Sequence, residues 1–251
     1  MKQNRQIIII ADADLLARKG AEIFSRTAKE TIAQQDRFIV AISGGSTPRA
    51  MHRLLSQEPY LSDIAWQKTY IFWVDDRMVA VDHPDSNFGT AQKDFLDKIP
   101  IPSDQVYPIP TLTHPDEDAA LYEMTLKTFF QRVDDDAPIF DLIFLGVGKD
   151  GHIASLFPNH ASRYPGESWV ITVKGGDPDV VRITLAYSVL NNARHICFLV
   201  SGRQKAPIIK TLFENRRVQL PAGRIKPIHG KVTWLLDREA ASLLSDTVSE
   251  E

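Results

Sequence analysis

Four apolar runs in this sequence each end in a group of polar residues whose types could do chemistry. The runs 38–42, 70–74, 140–145 and 196–200 are followed by SGGSTPR, DDR, GVGKDGH and SGRQK. Continuous apolar runs are typical of buried parallel strands, and the ligands of open parallel sheets bind beyond the carboxyl ends of the strands. We therefore expect hydroxyl, carboxylate, imidazole and cationic side chains to meet at one edge of a sheet.

The first of these groups has the composition of an anion-binding loop and consists of Ser43, Gly44, Gly45, Ser46 and Thr47. Glycines let backbone N–H groups approach an anion, hydroxyls add donors, and the N-terminus of the following helix contributes a positive partial charge. Arg77 beside this loop would suit a phosphate monoester, because a guanidinium matches phosphate oxygens in a bidentate way. A tight turn with a Ser or Thr helix cap explains the same loop equally well.

Asp150 and His152 are the candidates for acid–base chemistry. A histidine close to an aspartate, in a Gly-rich loop after a central strand, suits a general base with an acidic group that orients it. An exposed loop histidine is the more common alternative, and the chain has 7 histidines. Asp75 and Arg77 could equally belong to a solvated charge cluster, and Arg182 and Lys205 are individually ordinary cations.

Three other kinds of site find little support in the sequence. Residues 146–151 match the dinucleotide fingerprint GxGxxG, but the match lies in the middle of the chain and Pro158 leaves little room for a crossover helix. No HxxxH or CxxC spacing suggests a metal site, and no GxSxG marks a nucleophilic serine. We therefore predict neither a metal nor a cofactor.

The elements that must position these residues alternate along the chain. We predict strands at 7–10, 38–42, 70–74, 140–145, 169–173, 181–185, 196–200 and 232–236. Helices are predicted from a cap at Asp12 to Gln34 and at 87–95, 204–213 and 239–244. Two more open at Pro48, with Thr47 as its cap, and at Pro115. This alternation indicates an α/β fold around a mostly parallel sheet, and the absence of a linker favours one domain over residues 1–251.

Composition excludes several classes of protein. The chain has 251 residues, a formal net charge of −3 and 43% hydrophobic residues, so it is neither disordered nor basic enough to suggest a nucleic-acid or membrane-surface partner. Its single cysteine, Cys197, cannot form an internal disulfide, which favours a reducing cytoplasm. The apolar opening at 7–11 is too short for a membrane span.

Longer segments of the sequence resemble the 6-phosphogluconolactonase family. They are SGGSTP, DDRxVxxDHPDSNFG, FDLIFLGVGKDGHIASLFP, RITLAYSVLNNARHICFLVSGRQKA and LPAGRIKP, and they cover nearly the whole chain in order. The resemblance implies a single Rossmann-like domain with helices on both faces of the sheet. It also implies hydrolysis of 6-phospho-D-glucono-1,5-lactone, a step of the oxidative pentose phosphate pathway.

The resemblance also implies roles for the candidate residues. The catalytic residues would be His152, Asp150 and Asp75: His152 would act as the general base, Asp150 would orient it, and Asp75 would line the sugar pocket. The phosphate would bind residues 43–47 with Arg77, and Arg182 and Lys205 would assist. The expected partner is a small sugar-phosphate lactone, with no nucleic acid and no membrane, and the chain would be a monomer or a weak homodimer.

Two alternatives share this fold: a glucosamine-6-phosphate deaminase/isomerase and a non-catalytic sugar-phosphate sensor. The deaminases have a catalytic glutamate where this chain has Phe157, and a phenylalanine cannot move protons. Retention of both Asp150 and His152 argues against a sensor, which needs only the anion loop. The chain departs from the lactonase pattern at Asp76, where glutamate is usual, and at Lys149, where proline is frequent.

Overall fold

The computed structural model describes residues 5–131, 137–158, 168–215 and 219–245. Its strands are β1 (Arg5–Ile10), β2 (Phe38–Ile42), β3 (Thr69–Trp73), β4 (Asp75–Arg77), β5 (Val106–Tyr107), β6 (Leu142–Leu145), β7 (Val170–Gly175), β8 (Val180–Leu185), β9 (His195–Val200) and β10 (Lys231–Asp237). Its helices are α1 (Ala13–Gln35), α2 (Ser46–Leu55), α3 (Tyr60–Asp63), α4 (Asn87–Asp94), α5 (Pro115–Phe130), α6 (Tyr187–Leu190), α7 (Ala206–Glu214) and α8 (Arg238–Ala241). None of the helices in these ranges is long and apolar enough to cross a membrane.

A seven-stranded parallel sheet forms the centre of the structure, in the order β1-β10-β9-β6-β2-β3-β5. Every residue of β2, β6 and β9 is buried, as expected for strands covered on both faces. These three strands are neighbours in the middle of the sheet. The prediction of a mostly parallel sheet flanked by helices is therefore confirmed, and the loops after β2, β6 and β9 emerge side by side.

A second sheet, in the antiparallel order β4-β8-β7, was not predicted as such. The sequence suggested that Asp75, Asp76 and Arg77 end a strand, whereas they form β4, in which Arg77 lies opposite Arg182 of β8. The chain passes from one sheet to the other at Val74, whose N–H donates to Ile42 O and whose carbonyl accepts from Leu185 N. The acidic and basic residues after β3 are therefore held in a strand and not in a free loop.

The start of α2 also differs from the prediction. Thr47 was expected to cap a helix that opens at Pro48, but α2 begins at Ser46 after Gly45, and no side chain caps it. Gly45 has a φ of 100°, in the left-handed region that glycine tolerates and other residues avoid. The helix therefore starts earlier, and its first turn includes both Ser46 and Thr47.

Smaller differences concern the ends of elements. The predicted strand 140–145 begins at Leu142, and the last predicted helix, 239–244, is α8. The helix predicted from residue 204 begins at Ala206, after a 3-10 turn, Arg203–Lys205. Most bounds are wrong by one to three residues, and none of these errors moves a site residue to another edge of the sheet.

Candidate active site

A cavity of about 920 Å³ opens at the carboxyl ends of β2, β6 and β9, beside the second sheet. All the candidate residues from the sequence line it: Ser43, Gly44, Gly45, Ser46, Thr47, Asp75, Arg77, Asp150, His152, Arg182 and Lys205. Residues separated by as much as 162 positions in the chain are thus brought to one place (205 − 43).

The loop after β2 has the features of an anion site. Ser43 is buried and its hydroxyl donates to Phe144 O at 2.8 Å, so this side chain ties the end of β2 to β6. Ser46 is exposed and Thr47 half-buried, and both lie in the first turn of α2. Unpaired N–H groups and the helix dipole make such a turn favourable for a negative charge.

Asp75 and Arg77 belong to a buried polar network that includes Asn87 and Ser155. Ser155 Oγ donates to Asp75 Oδ2 at 2.7 Å, and Asn87 Nδ2 donates to the carbonyl of Asp75 at 2.8 Å. Arg77 Nη1 donates to Asn87 Oδ1 at 2.7 Å and to the carbonyl of Asp85 at 2.9 Å. A side chain with several partners loses its freedom before a ligand arrives, so this network preorganises the site.

Asp76, whose role the sequence left open, turns away from the cavity and supports this network. Its carboxylate accepts from the backbone N–H groups of Arg77, Asn87 and Phe88 at 2.8, 2.7 and 2.9 Å. Burial raises the pKa of Asp76 to about 6, because the charged form is poorly solvated, although the three N–H donors oppose this shift. The residue joins the end of β4 to the start of α4.

Asp150 and His152 form a close pair in the loop after β6. Asp150 Oδ1 lies 2.6 Å from His152 Nδ1 and also accepts from the backbone N–H of His152 at 3.1 Å. A carboxylate at Nδ1 favours the tautomer that carries its proton there, which leaves Nε2 to accept one. The His152 side chain is 32% exposed and that of Asp150 is 50% exposed, so water reaches the pair.

Gly148 makes this pairing possible. A Cβ at this position would lie 2.1 Å from His152 Nδ1 and 2.6 Å from Asp150 Oδ1, far inside van der Waals contact. The Phe157 ring lies on the imidazole with 4.8 Å between ring centroids. The geometry of the Asp150–His152 pair therefore depends on glycine at position 148, which leaves room for the imidazole, and on the ring of Phe157, which packs against it.

Arg182 and Lys205 line the cavity, and both also donate hydrogen bonds to backbone carbonyl oxygens. Arg182 donates from Nε to Gly175 O at 2.9 Å and from Nη2 to Pro178 O at 3.2 Å. Lys205 Nζ donates to Val147 O at 2.6 Å. Burial lowers the pKa of both cations, and the neighbouring Arg77 adds to this effect at Arg182. In the part of the chain that the structure describes, no carboxylate forms an ion pair with either of them or with Arg77.

Asp237 fixes the loop that carries Lys205. The hydroxyl of Ser201 donates to its carboxylate, and the N–H of Gly202 donates to it at 2.9 Å. The same carboxylate caps α8 through the N–H of Ala240 at 2.7 Å. The end of β10 thereby positions the loop after β9, although Asp237 itself does not line the cavity.

The loop after β6 and the spacing of possible metal ligands bear on two further features of the sequence. No α-helix begins within residues 152–158, so in the described chain the GxGxxG match lacks the α-helix N-terminus that a dinucleotide pyrophosphate requires. Among the described residues, no three His, Cys, Asp or Glu side chains cluster closely enough to hold a metal ion. His195 and His52, for which no role was predicted, are buried away from the cavity, and His160 lies outside the described residues.

The sequence did not single out Asn87 or Ser155. Asn87 opens α4 and lines the cavity, while Ser155 lies 80 residues from its partner Asp75. Asn87 stands in the DSNFG segment and is the first residue of the helix predicted at 87–95, but no role was assigned to its side chain. Nothing in the spacing of Ser155 points to Asp75.

Known proteins resemble the chain over almost its whole length. The family described as Glucosamine-6-phosphate isomerases/6-phosphogluconolactonase matches residues 11–234. The 6-phosphogluconolactonase of Synechocystis sp. is 37% identical over 244 residues, which cover 95% of this chain and 98% of that protein. A probable chloroplastic 6-phosphogluconolactonase 3 of Oryza sativa subsp. indica is 36% identical, with 95% of this chain and 76% of that protein covered. The solved structure of 6-phosphogluconolactonase from Trypanosoma cruzi has a TM-score of 0.83 at 26% identity and covers 98% of each chain.

Proposed function

The chain belongs to the glucosamine-6-phosphate isomerase/6-phosphogluconolactonase family, and from this premise we propose that it hydrolyses 6-phospho-D-glucono-1,5-lactone to 6-phosphogluconate. The observation that carries the proposal is the Asp150–His152 pair, which shares one cavity with Arg77, Arg182 and Lys205. A water-accessible base suits ester hydrolysis, and a group of cations without carboxylate partners in the described chain suits a phosphate dianion.

His152 starts the reaction by accepting a proton at Nε2 from a water molecule. The water oxygen bonds to the carbonyl carbon of the lactone, and a tetrahedral intermediate forms. The bond from this carbon to the ring oxygen then breaks, and His152 returns its proton to that oxygen, which becomes a hydroxyl. The new carboxylic acid releases its proton to solvent. Asp150 holds the imidazole and stabilises the imidazolium that forms between the two steps.

The cations serve to place the lactone carbonyl. Residues 43–47 and Arg77 would bind the phosphate, with Lys205 and Arg182 as further donors. Binding of a remote group fixes the reacting carbon near His152, which converts binding energy into positioning. Asp75, held by Ser155 and Asn87, would accept hydrogen bonds from sugar hydroxyls.

The environment of His152 favours lactone hydrolysis over deamination. Phe157 lies against the imidazole, at the position where the deaminase pattern has its glutamate. A deaminase route through this site would therefore lack a carboxylate for sugar-ring opening, whereas hydrolysis requires only an activated water. A pure sensor would have no use for the Asp150–His152 pair.

Further parts of the proposal concern the state of the protein. We propose that residues 1–251 act as one domain, as a monomer or weak homodimer in the cytoplasm, without a metal or cofactor. Burial of Cys197 and the raised pKa of its thiol make it a packing residue that is compatible with a reducing compartment. The partner is a small sugar-phosphate lactone, and neither a nucleic acid nor a membrane takes part.

A turnover assay on freshly generated lactone tests the function. The wild-type protein should hydrolyse 6-phosphogluconolactone faster than the spontaneous background and should release no ammonia from glucosamine 6-phosphate. Hydrolysis no faster than the background would overturn the proposal. Release of ammonia would instead support the deaminase alternative.

A further inference from the structure

We infer that Asn87 is a positioning residue that holds Arg77, Asp75 and the anion loop together as one binding unit. This inference rests on the proposed function, since it assigns to Asn87 a part in binding the phosphorylated substrate. It gives a role to a residue to which the sequence analysis assigned none. The argument depends on the contacts of one carboxamide.

Both the oxygen and the nitrogen of the Asn87 carboxamide form hydrogen bonds. Its Oδ1 accepts from Arg77 Nη1 at 2.7 Å, and its Nδ2 donates to the carbonyl of Asp75 at 2.8 Å. A guanidinium can only donate and a carbonyl can only accept, so these partners fix which end is oxygen and which is nitrogen. The neutral carboxamide of asparagine supplies the acceptor and the donor that these two partners need.

The same carboxamide packs against the anion loop. A Cβ on Gly44 would lie 1.8 Å from Asn87 Oδ1 and 2.3 Å from its Cγ, so the loop backbone and the carboxamide are in direct contact. Glycine at position 44 is required for this approach. The position of the loop after β2 is thereby coupled to the position of Arg77 on β4.

Arg77 depends on this contact for its orientation. Its Nη1 binds only Asn87 Oδ1 and the carbonyl of Asp85, and its buried Nε has no partner in the described part of the chain. No carboxylate there pairs with the guanidinium. Among the residues that the structure describes, Asn87 thus provides the side-chain acceptor that orients Arg77, and because it is neutral it leaves the positive charge available to a phosphate.

The start of α4 holds Asn87 in place. Its backbone N–H donates to Asp76 Oδ1 at 2.7 Å, and the preceding Ser86 caps the helix by accepting from Gly89 N at 3.0 Å. The Asn87 side chain is buried, and its hydrogen bonds to Arg77 and to the carbonyl of Asp75 fix its orientation. Ser86 stabilises the same helix end, and in the described part of the chain no hydrogen bond joins it to Arg77 or Gly44, which makes it a matched control.

Steady-state kinetics on fresh lactone should compare Asn87→Ala with Ser86→Ala. We expect Asn87→Ala to raise KM about 10-fold, because Arg77 loses its side-chain acceptor, with kcat changed by less than about threefold. Ser86→Ala should lower Tm similarly and leave KM unchanged. An Asn87→Ala variant with the KM of Ser86→Ala would overturn the inference.

The double variant Arg77→Ala/Asn87→Ala provides the sharper test. If Asn87 acts through Arg77, the double variant should have the KM of Arg77→Ala to within about twofold. A further rise in KM that multiplies with that of Arg77→Ala would contradict a positioning role. Asn87→Asp serves as the second variant if the alanine does not fold: its carboxylate would neutralise Arg77, and we expect a raised KM there as well.

Failure of the proposed function can be told apart from failure of this inference. Wild-type protein without turnover would refute the lactonase proposal alone. Calorimetric titration with 6-phosphogluconate would then compare the same variants, and the inference predicts weaker binding by Asn87→Ala than by Ser86→Ala. Equal affinities in that titration would contradict it.

Discussion

The two sides of the cavity differ in how they hold their functional groups. On one side, Asp75, Arg77 and Asn87 are buried or half-buried and share at least four hydrogen bonds with their neighbours. On the other, His152 lies in a Gly-rich loop, and Asp150 is the partner of its side chain, 2.6 Å away. We call them the binding side and the catalytic side.

This difference follows from what each side has to do. Cations that bind a dianion gain from a fixed position, because a preorganised site loses little entropy when the ligand arrives. A general base must exchange protons with water, so it needs an exposed nitrogen and one group that fixes its tautomer. The side chains of the binding side are therefore held by many hydrogen bonds, and those of the catalytic side by few.

Removal of the base should give the largest effect. We expect His152→Ala to lose about 10²–10⁴-fold in kcat without unfolding, because general-base assistance is worth that much. Stopped-flow or pH-indicator assays on fresh lactone measure it. His229→Ala, which changes an exposed histidine outside the cavity lining, is the control. Full activity of His152→Ala would show that the base lies elsewhere.

A methyl group at Gly148 should disturb the catalytic side without touching the binding side. In Gly148→Ala the new methyl group clashes with both the His152 ring and the Asp150 carboxylate and must displace them, and we expect kcat to fall about 10²-fold, as for a displacement of about 1 Å at a reacting group. Gly223→Ala is the control, because its new Cβ would meet only Leu212 Cδ2, at 3.6 Å. Unchanged kcat in Gly148→Ala would mean that the Asp150–His152 contact is dispensable.

Loss of Arg77 should instead affect binding. We expect Arg77→Ala to raise KM about 10–100-fold and to leave kcat within a few-fold, because the guanidinium binds substrate and transition state alike. Arg49→Ala controls for loss of a positive charge, since Arg49 pairs with Asp94 outside the cavity. A fall in kcat alone would mean that Arg77 is not a phosphate anchor.

The buried Asp76, which supports the binding side, should make the free energy of unfolding depend on pH. The pKa of Asp76 is raised to about 6 in the folded protein, so the fold favours the protonated carboxyl. Its stabilising contribution is therefore fully present below about pH 4 and is lost as the pH rises through 6. Relative to Asp76→Asn, we expect wild type to lose on the order of 2–3 kcal/mol of unfolding free energy between pH 4 and pH 7.5.

Denaturant titrations at several pH values measure this difference. The lowered pKa values of the buried His52 and His195, about 4 and about 3, act in the opposite direction: they remove stability as the pH falls below about 6.5. Because both proteins contain these histidines, their contribution cancels in the comparison. Parallel curves for wild type and Asp76→Asn would contradict the raised pKa.

The sequence predicted the catalytic side better than the binding side, for a physical reason. Apolar runs define β2, β6 and β9, and in a parallel sheet the loops after such strands must share an edge. Asp150 and His152 are close in sequence, so their contact is local. They lie near residues 43–47 because β6 and β2 are neighbouring parallel strands, so the loops after them emerge side by side.

The binding side depends on tertiary contacts that no local pattern records. β4 has only three residues, all polar or charged, and nothing in them distinguishes a strand from a charged turn. The partners of Asp75 come from 12 and 80 residues away, on α4 and in the loop after β6. The start of α2 was misplaced because a positive φ at Gly45 cannot be read from composition.

The central claim is that binding and catalysis are carried by different groups of residues in one cavity. Calorimetric titration with 6-phosphogluconate tests it most directly, because the product can bind without turnover. We predict that His152→Ala binds the product within about threefold of wild type, and that Arg77→Ala binds it about 10–100-fold more weakly. The reverse pattern, with affinity lost in His152→Ala and kept in Arg77→Ala, would contradict the account.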